Sequence, residues 1–242
     1  MKIETKPDIE SDSYWHQDMG NVPALEDDSF SVHEVSFGSR SVVREILETV
    51  VVTLLLFLAV RLVVQNYMVE GTSMLPTLHD TQSLLVNKAA YFRADSELLS
   101  RLNPFEAGTA PQTGQTYVFG PPQRGDIIVF HAPTEPRDFI KRVIGLPGET
   151  VEVRAKEGVF INGQHLDEPY IEDVPNYNWP DPGQPATIPG DEIFVMGDNR
   201  NASDDSHIFG PVAISSVVGK AWFCYWPFAE IGALPHPTYT TP

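Results

Sequence analysis

One apolar run, Ile46 to Val64, constrains this chain more than any other feature. Its centre reads VVVTLLLFLAV from Val50 to Val60. Its length of about 19 residues is close to the ~20 that a helix needs to cross a hydrocarbon core. Glu48 and Arg61 sit near the two ends, where long side chains reach the headgroups. No small-x-small cleavage site follows, which argues against a removable leader. We therefore expect a transmembrane anchor over 45–66, behind a flexible acidic tail over 1–44. The tail carries Glu26-Asp27-Asp28 and few apolar residues, too few to offset its ordering entropy. Its acidity is the opposite of a transit peptide. Arg40 and Arg44 precede the run, so the tail is expected in the cytoplasm and 67–242 on the trans side, in a periplasm, a thylakoid lumen or the cell exterior. Arg61 opposes that bias.

Beyond the anchor the apolar runs become short and β-branched. They include Ser83–Val86, Asp126–Phe130, Phe139–Ile144, Thr150–Val153, Gly158–Ile161, Glu192–Met196 and Val217–Phe223. Gly, Pro, Asn or Asp separates them, which predicts a mainly β, antiparallel domain. Asn162-Gly163 marks a two-residue hairpin. Residues 91–123 read as an insertion, helical over Ala94–Leu102 and then loop. Residues 173–190 read as a Pro-rich surface loop. The aromatic stretch Ala221–Phe228 suits either a packed core strand or a lipid–water interface. Cys224 within it reads as a small buried apolar residue, not a nucleophile.

Composition narrows the function. A net charge of −17 excludes a nucleic-acid partner, because phosphates are held by clustered Lys and Arg. It also means that contact with a lipid bilayer depends on the apolar anchor. The seven histidines show no metal-ligand spacing, so no metal is expected. With a single cysteine there is no internal disulfide.

Three short blocks carry chemistry. The first, Gly71-Thr72-Ser73-Met74-Leu75-Pro76, lies where the chain leaves the anchor and offers Ser73 as a nucleophile. A serine hydroxyl needs a proton acceptor, and a lysine can serve only when neutral. The second block, Phe139 to Gly148, supplies Lys141. Alternation along a strand puts Phe139, Lys141 and Val143 on one face, so Lys141 lies among apolar groups that disfavour its charge. Lys88, Lys156 and Lys220 are its rivals beyond the anchor. Lys156 lies in a polar stretch and Lys220 at a strand end. The third block is Met196-Gly197-Asp198-Asn199-Arg200, continuing through Asn201-Ala202-Ser203-Asp204-Asp205-Ser206-His207.

In this order, behind an N-terminal anchor, the blocks resemble the type I signal peptidases, and the likeness runs from about Leu47 to Phe228. The acidic tail and the Asp205-Ser206-His207 ending are similar to cyanobacterial and thylakoid members. The resemblance implies a Ser-Lys endopeptidase that needs no cofactor and cuts exported preproteins after small residues, usually Ala-x-Ala. It makes Ser73 the nucleophile and Lys141 the general base. Ser203 would hydrogen-bond the lysine. Asp205 would pair with His207, where many members have Arg. Arg142 and Asp198 belong to the same supporting set. The Ser73 main-chain N–H would bind the oxyanion. Some members add a serine hydroxyl two residues earlier, where this chain has Gly71, so a second donor must come from elsewhere. Gly71 does let the backbone approach a substrate closely. Met74, Leu75, Ile128, Phe130 and Ile140 offer apolar walls for small substrate side chains. A peptide adding as a strand would present alternate side chains to such pockets.

Overall fold

The computed structural model describes residues 39–95 and 114–239. Contacts divide the chain into two units, Met1–Thr49 and Val50–Pro242, and all the strands belong to the second. Helix α1 runs Ser39–Val63, and its stretch Val42–Val63 is long and apolar enough to span a membrane. The helix starts earlier than the expected anchor and stops sooner. Residues 39–44, assigned above to the tail, are helical. Residues 64–66, assigned to the anchor, belong to strand β1 (Val64–Met68), because its backbone pairs along β2 (Ser83–Asn87) from Val64↔Asn87 to Met68↔Ser83. Strand pairing overrides the apolar continuity there.

The remaining strands are β3 (Arg93–Asp95), β4 (Gln115–Tyr117), β5 (Ile127–His131), β6 (Asp138–Gly145), β7 (Thr150–Arg154), β8 (Gly158–Ile161), β9 (Gln164–His165), β10 (Ala186–Thr187), β11 (Glu192–Met196), β12 (Val212–Ala213), β13 (Val217–Trp226) and β14 (Gly232–Ala233). A short helix, α2 (Ser206–Phe209), precedes β12. The large sheet has the order β1-β2-β13-β5-β6-β11-β12, with β14 also on β13. A smaller sheet has the order β10-β7-β8-β9, and β3 pairs with β4. Every pairing is antiparallel. The fold is mainly β, as the short β-branched runs predict.

Alternation explains the core. On β5, Ile127 and Val129 pack on one side with Met74, Leu78, Leu84 and Val86. Ile128 and Phe130 pack on the other with Val143, Ile193 and Val195. Strand β5 is thus covered on both faces, which is why its sequence is apolar without a break. A third cluster joins the small sheet to the large one through Ile144, Val151, Val153, Val159, Ile161 and Phe194. Asn162 and Gly163 connect β8 to β9 with φ of 52° and 81°, the left-handed pair that a tight hairpin needs.

One expectation needs correction. Ala94 and Asp95, placed in a helix above, lie in β3, where they pair with Thr116 and Gln115. The rest of that segment, 96–102, lies outside the described residues. Within 173–190, Ile188 is buried and Tyr177 and Trp179 pack on the third cluster, while Ala186–Thr187 pairs with β7. Most of the segment is exposed and irregular, as its prolines suggest, and these aromatic side chains tether it to the small sheet. On the aromatic strand β13, Ala221 and Cys224 are buried and Trp222 and Trp226 are about half exposed, a departure from strict alternation that follows the bulges in its pairing with β2.

Candidate active site

Ser73 follows Gly71 and Thr72 in the turn between β1 and β2. Gly71 has φ +88°, a left-handed conformation that favours glycine, and its N–H donates to Asp80 Oδ1 at 2.8 Å. The turn is closed by Leu75 N–H to the Thr72 carbonyl at 3.2 Å and Leu78 N–H to the Met74 carbonyl at 2.8 Å. Met74 and Leu78 anchor it in the core.

Lys141 comes from β6. Its Nζ donates to Ser73 Oγ at 2.8 Å and lies 5.3 Å from the centre of the Phe139 ring. Its strand partner is Ile128, and only 4% of the residue is exposed. It is the buried lysine among the described residues; Lys220 instead pairs with Asp126 at 2.5 Å. Burial pushes the Lys141 ammonium down to about 8. The carboxylates of Asp205 and Asp204 pull it back up, and Arg137 presses it lower.

Arg142, next on β6, turns the other way. Its Nε and Nη2 reach the two oxygens of Asp198 at 2.8 and 2.6 Å, with both side chains fully buried. It also donates to the Gly125 carbonyl at 3.0 Å. Asp198 opens the turn that meets Ser73. Asn199 N–H donates to the Ser73 carbonyl at 3.0 Å, and Asn199 Nδ2 to the Thr72 carbonyl at 3.1 Å. Gly197 is tightly enclosed, since a Cβ there would run into the Ser73 carbonyl and Ser203 Oγ. Arg200, also buried, donates to the Gly197 carbonyl at 3.1 Å and forms a two-point pair with Glu168.

Asp205 accepts from Gly197 N–H at 2.9 Å and from the main chain of His207 at 3.2 Å, capping α2. Its Oδ1 also lies 2.7 Å from His207 Nδ1, and the imidazole stacks on Tyr177. Ser203 differs from the reading above. Its Oγ is buried without a hydrogen-bond partner, while Lys141 donates to Ser73.

A cavity of about 500 Å³ opens over Ser73 and Lys141. It is bounded by Tyr67–Thr72 on one side and Arg137–Ile140 on the other, with Ala202 and Asp204 beside the lysine's end. Of the five proposed wall residues, Ile140 lines it. Met74, Ile128 and Phe130 are in the core, and Leu75 is partly buried away from this cavity. Their positions follow from parity and from the inward fold of the turn, which the sequence pattern leaves open. Tyr67, Glu70, Arg137 and Asp138 were missed as lining residues, having no motif to mark them. Among the described residues no three His, Cys, Asp or Glu side chains converge on a metal position.

The fold and the site together place a serine in the turn after β1, against a buried lysine on β6 of the same antiparallel sheet. The family model described as signal peptidase, peptidase S26, matches residues 43–226. The signal peptidase I of Leptolyngbya laminosa is 39% identical over 204 residues, 80% of this chain and 85% of that protein. The signal peptidase I of Bacillus caldolyticus is 37% identical, over 75% of this chain and 87% of its own length. A probable signal peptidase I-1 of a Synechocystis strain is 37% identical, over 79% and 87%. A crystal structure of an Enterococcus faecalis signal peptidase I covers 42% of this chain and 97% of its own, at 40% identity and a TM-score of 0.35. This chain belongs to the S26 signal peptidase family.

Proposed function

We propose that this protein is a membrane-anchored serine endopeptidase that removes signal peptides from preproteins after small residues. The observation that carries the proposal is the 2.8 Å contact between Ser73 Oγ and a buried, charge-averse Lys141 Nζ. A neutral lysine accepts the hydroxyl proton as Ser73 attacks the scissile carbonyl. The Ser73 N–H stabilises the oxyanion. The lysine, now charged, returns its proton to the leaving amine. The acyl-enzyme is then hydrolysed by water, with Lys141 again the base. No cofactor takes part.

The preprotein lies in the cavity between the chain before Ser73 and the start of β6, where strand-like pairing is available to an extended peptide. Ile140 and Val129 give that cavity apolar wall suited to small side chains. Only residues 64–72 separate α1 from Ser73, so the cut falls near the membrane face. On this reading the chain is single-pass, with 1–44 cytoplasmic and 67–242 the trans-side peptidase domain.

The test is cleavage of a preprotein bearing an Ala-x-Ala site by the detergent-solubilised full chain. Cleavage at that site, lost in Ser73→Ala and in Lys141→Ala, supports the dyad. Normal cleavage by either variant refutes it.

A further inference from the structure

Asn199 holds the nucleophile's backbone at two points. Its main-chain N–H takes the Ser73 carbonyl and its side-chain Nδ2 takes the Thr72 carbonyl, at 3.0 and 3.1 Å. Those two carbonyls belong to the two peptide units on either side of the Ser73 Cα. A peptide unit is planar, so holding its oxygen fixes the direction of its N–H. The Thr72 oxygen and the Ser73 N–H share one such plane and point opposite ways. The Asn199 amide therefore aims the Ser73 N–H, which donates to no other group among the described residues. Donation to the Thr72 oxygen also polarises that amide and makes its N–H the better donor. The side chain's orientation is set by chemistry, because a reversed amide would face oxygen against oxygen.

Asn199 is itself braced. Asp198 before it is held by Arg142, and Arg200 after it holds the Gly197 carbonyl. Ala202 N–H donates back to the Asn199 carbonyl at 3.0 Å. The brace is fixed to β6, the strand that also carries Lys141. Gly71 has no hydroxyl to share the oxyanion's charge, which raises the demand on the aim of the Ser73 N–H.

We infer that Asn199 is a positioning residue that aims the oxyanion-binding N–H of Ser73 through its side-chain hydrogen bond to Thr72. This rests on the Ser73–Lys141 reading above.

The experiment compares full-length wild type with Asn199→Ala, which keeps the backbone N–H, and Asn199→Asp, which sets an acceptor against the Thr72 oxygen. Preprotein cleavage is measured beside the affinity of two peptides of one sequence. One ends in an aldehyde, which adds to the serine and puts its oxygen where the oxyanion forms. The other is the unreactive carboxamide. Expected in Asn199→Ala is a fall in kcat of about 100-fold. KM and carboxamide affinity stay within about twofold, and aldehyde affinity falls with kcat/KM. Asn199→Asp loses more, and its activity relative to wild type recovers as the pH is lowered and the new carboxyl becomes a donor. Unchanged kcat in Asn199→Ala overturns the inference. So do equal losses of aldehyde and carboxamide binding, or a collapse of the melting temperature in both variants. Should Ser73→Ala cleave normally, the proposed function itself fails, a result that the Asn199 variants cannot imitate.

Discussion

Lys141 Nζ lies 2.8 Å from Ser73 Oγ, across 68 positions of chain, with its own hydration largely stripped away. The amine is dry because the face it shares with Phe139 and Val143 is packed against Ile128 and Phe130. The same strand points Arg142 the other way, to Asp198 and so to the turn that meets Ser73. One strand thus sets both the proposed base and the support of the proposed nucleophile.

Activity should climb with pH through about 8, because the general base works only after Lys141 loses its proton. A kcat/KM profile for a short Ala-x-Ala substrate is expected to show its ascending limb there. A flat profile between pH 6 and 9 contradicts the assignment of the base.

The same burial should cost stability. Lys141 drops from an ordinary 10.5 to about 8 in the folded chain. Below pH 8 it is charged in both states, and the fold bears the desolvation penalty. Between 8 and 10.5 the unfolded chain holds a proton that the folded one has released, so stability rises with pH. Lys141→Met, similar in shape, is expected to stabilise at pH 6 by up to roughly 3 kcal/mol, using ~1.4 kcal/mol per unit. The gain should shrink as pH passes 8. Thermal midpoints at pH 6 and 10, with loss of cleavage at both, are the check.

Breaking the Arg142–Asp198 pair leaves a fully buried charge without its partner. Asp198→Leu or Arg142→Met alone should destabilise by about 3–5 kcal/mol. The double variant should cost less than the two single losses added together, and a denaturant double-mutant cycle measures the difference.

Gly197→Ala should abolish most activity without removing any catalytic group. The new methyl must push back the Ser73 carbonyl or Ser203 Oγ. A shift of about 1 Å in the nucleophile's segment can cost about 100-fold. Steady-state kinetics should show the loss mainly in kcat.

The anchor, the antiparallel β character and the order of the three blocks were legible because each is a local pattern: apolar length, period-2 alternation, turn residues. Ser73 and Lys141 stood out for the same reason, one by its turn and the other by its apolar neighbours on the strand. The pattern did not reveal the end of α1 at Val63, because only the pairing of β1 with β2 stops it there. Nor did it reveal that Ile128 and Phe130 turn into the core while Tyr67, Glu70 and Asp138 face the cavity. Asn199 was in view within its block but had no visible role. Its two acceptors lie some 127 positions away, and only the folded sheet brings them within reach. The sequence by itself determined which reactive residue types the chain carries and in what order, since residue type and local spacing are written in it. Tertiary structure decided the state and aim of those groups: how dry the lysine is and where the Ser73 N–H points. Both depend on which distant segments pack against them, and desolvation and hydrogen-bond geometry are properties of that packing.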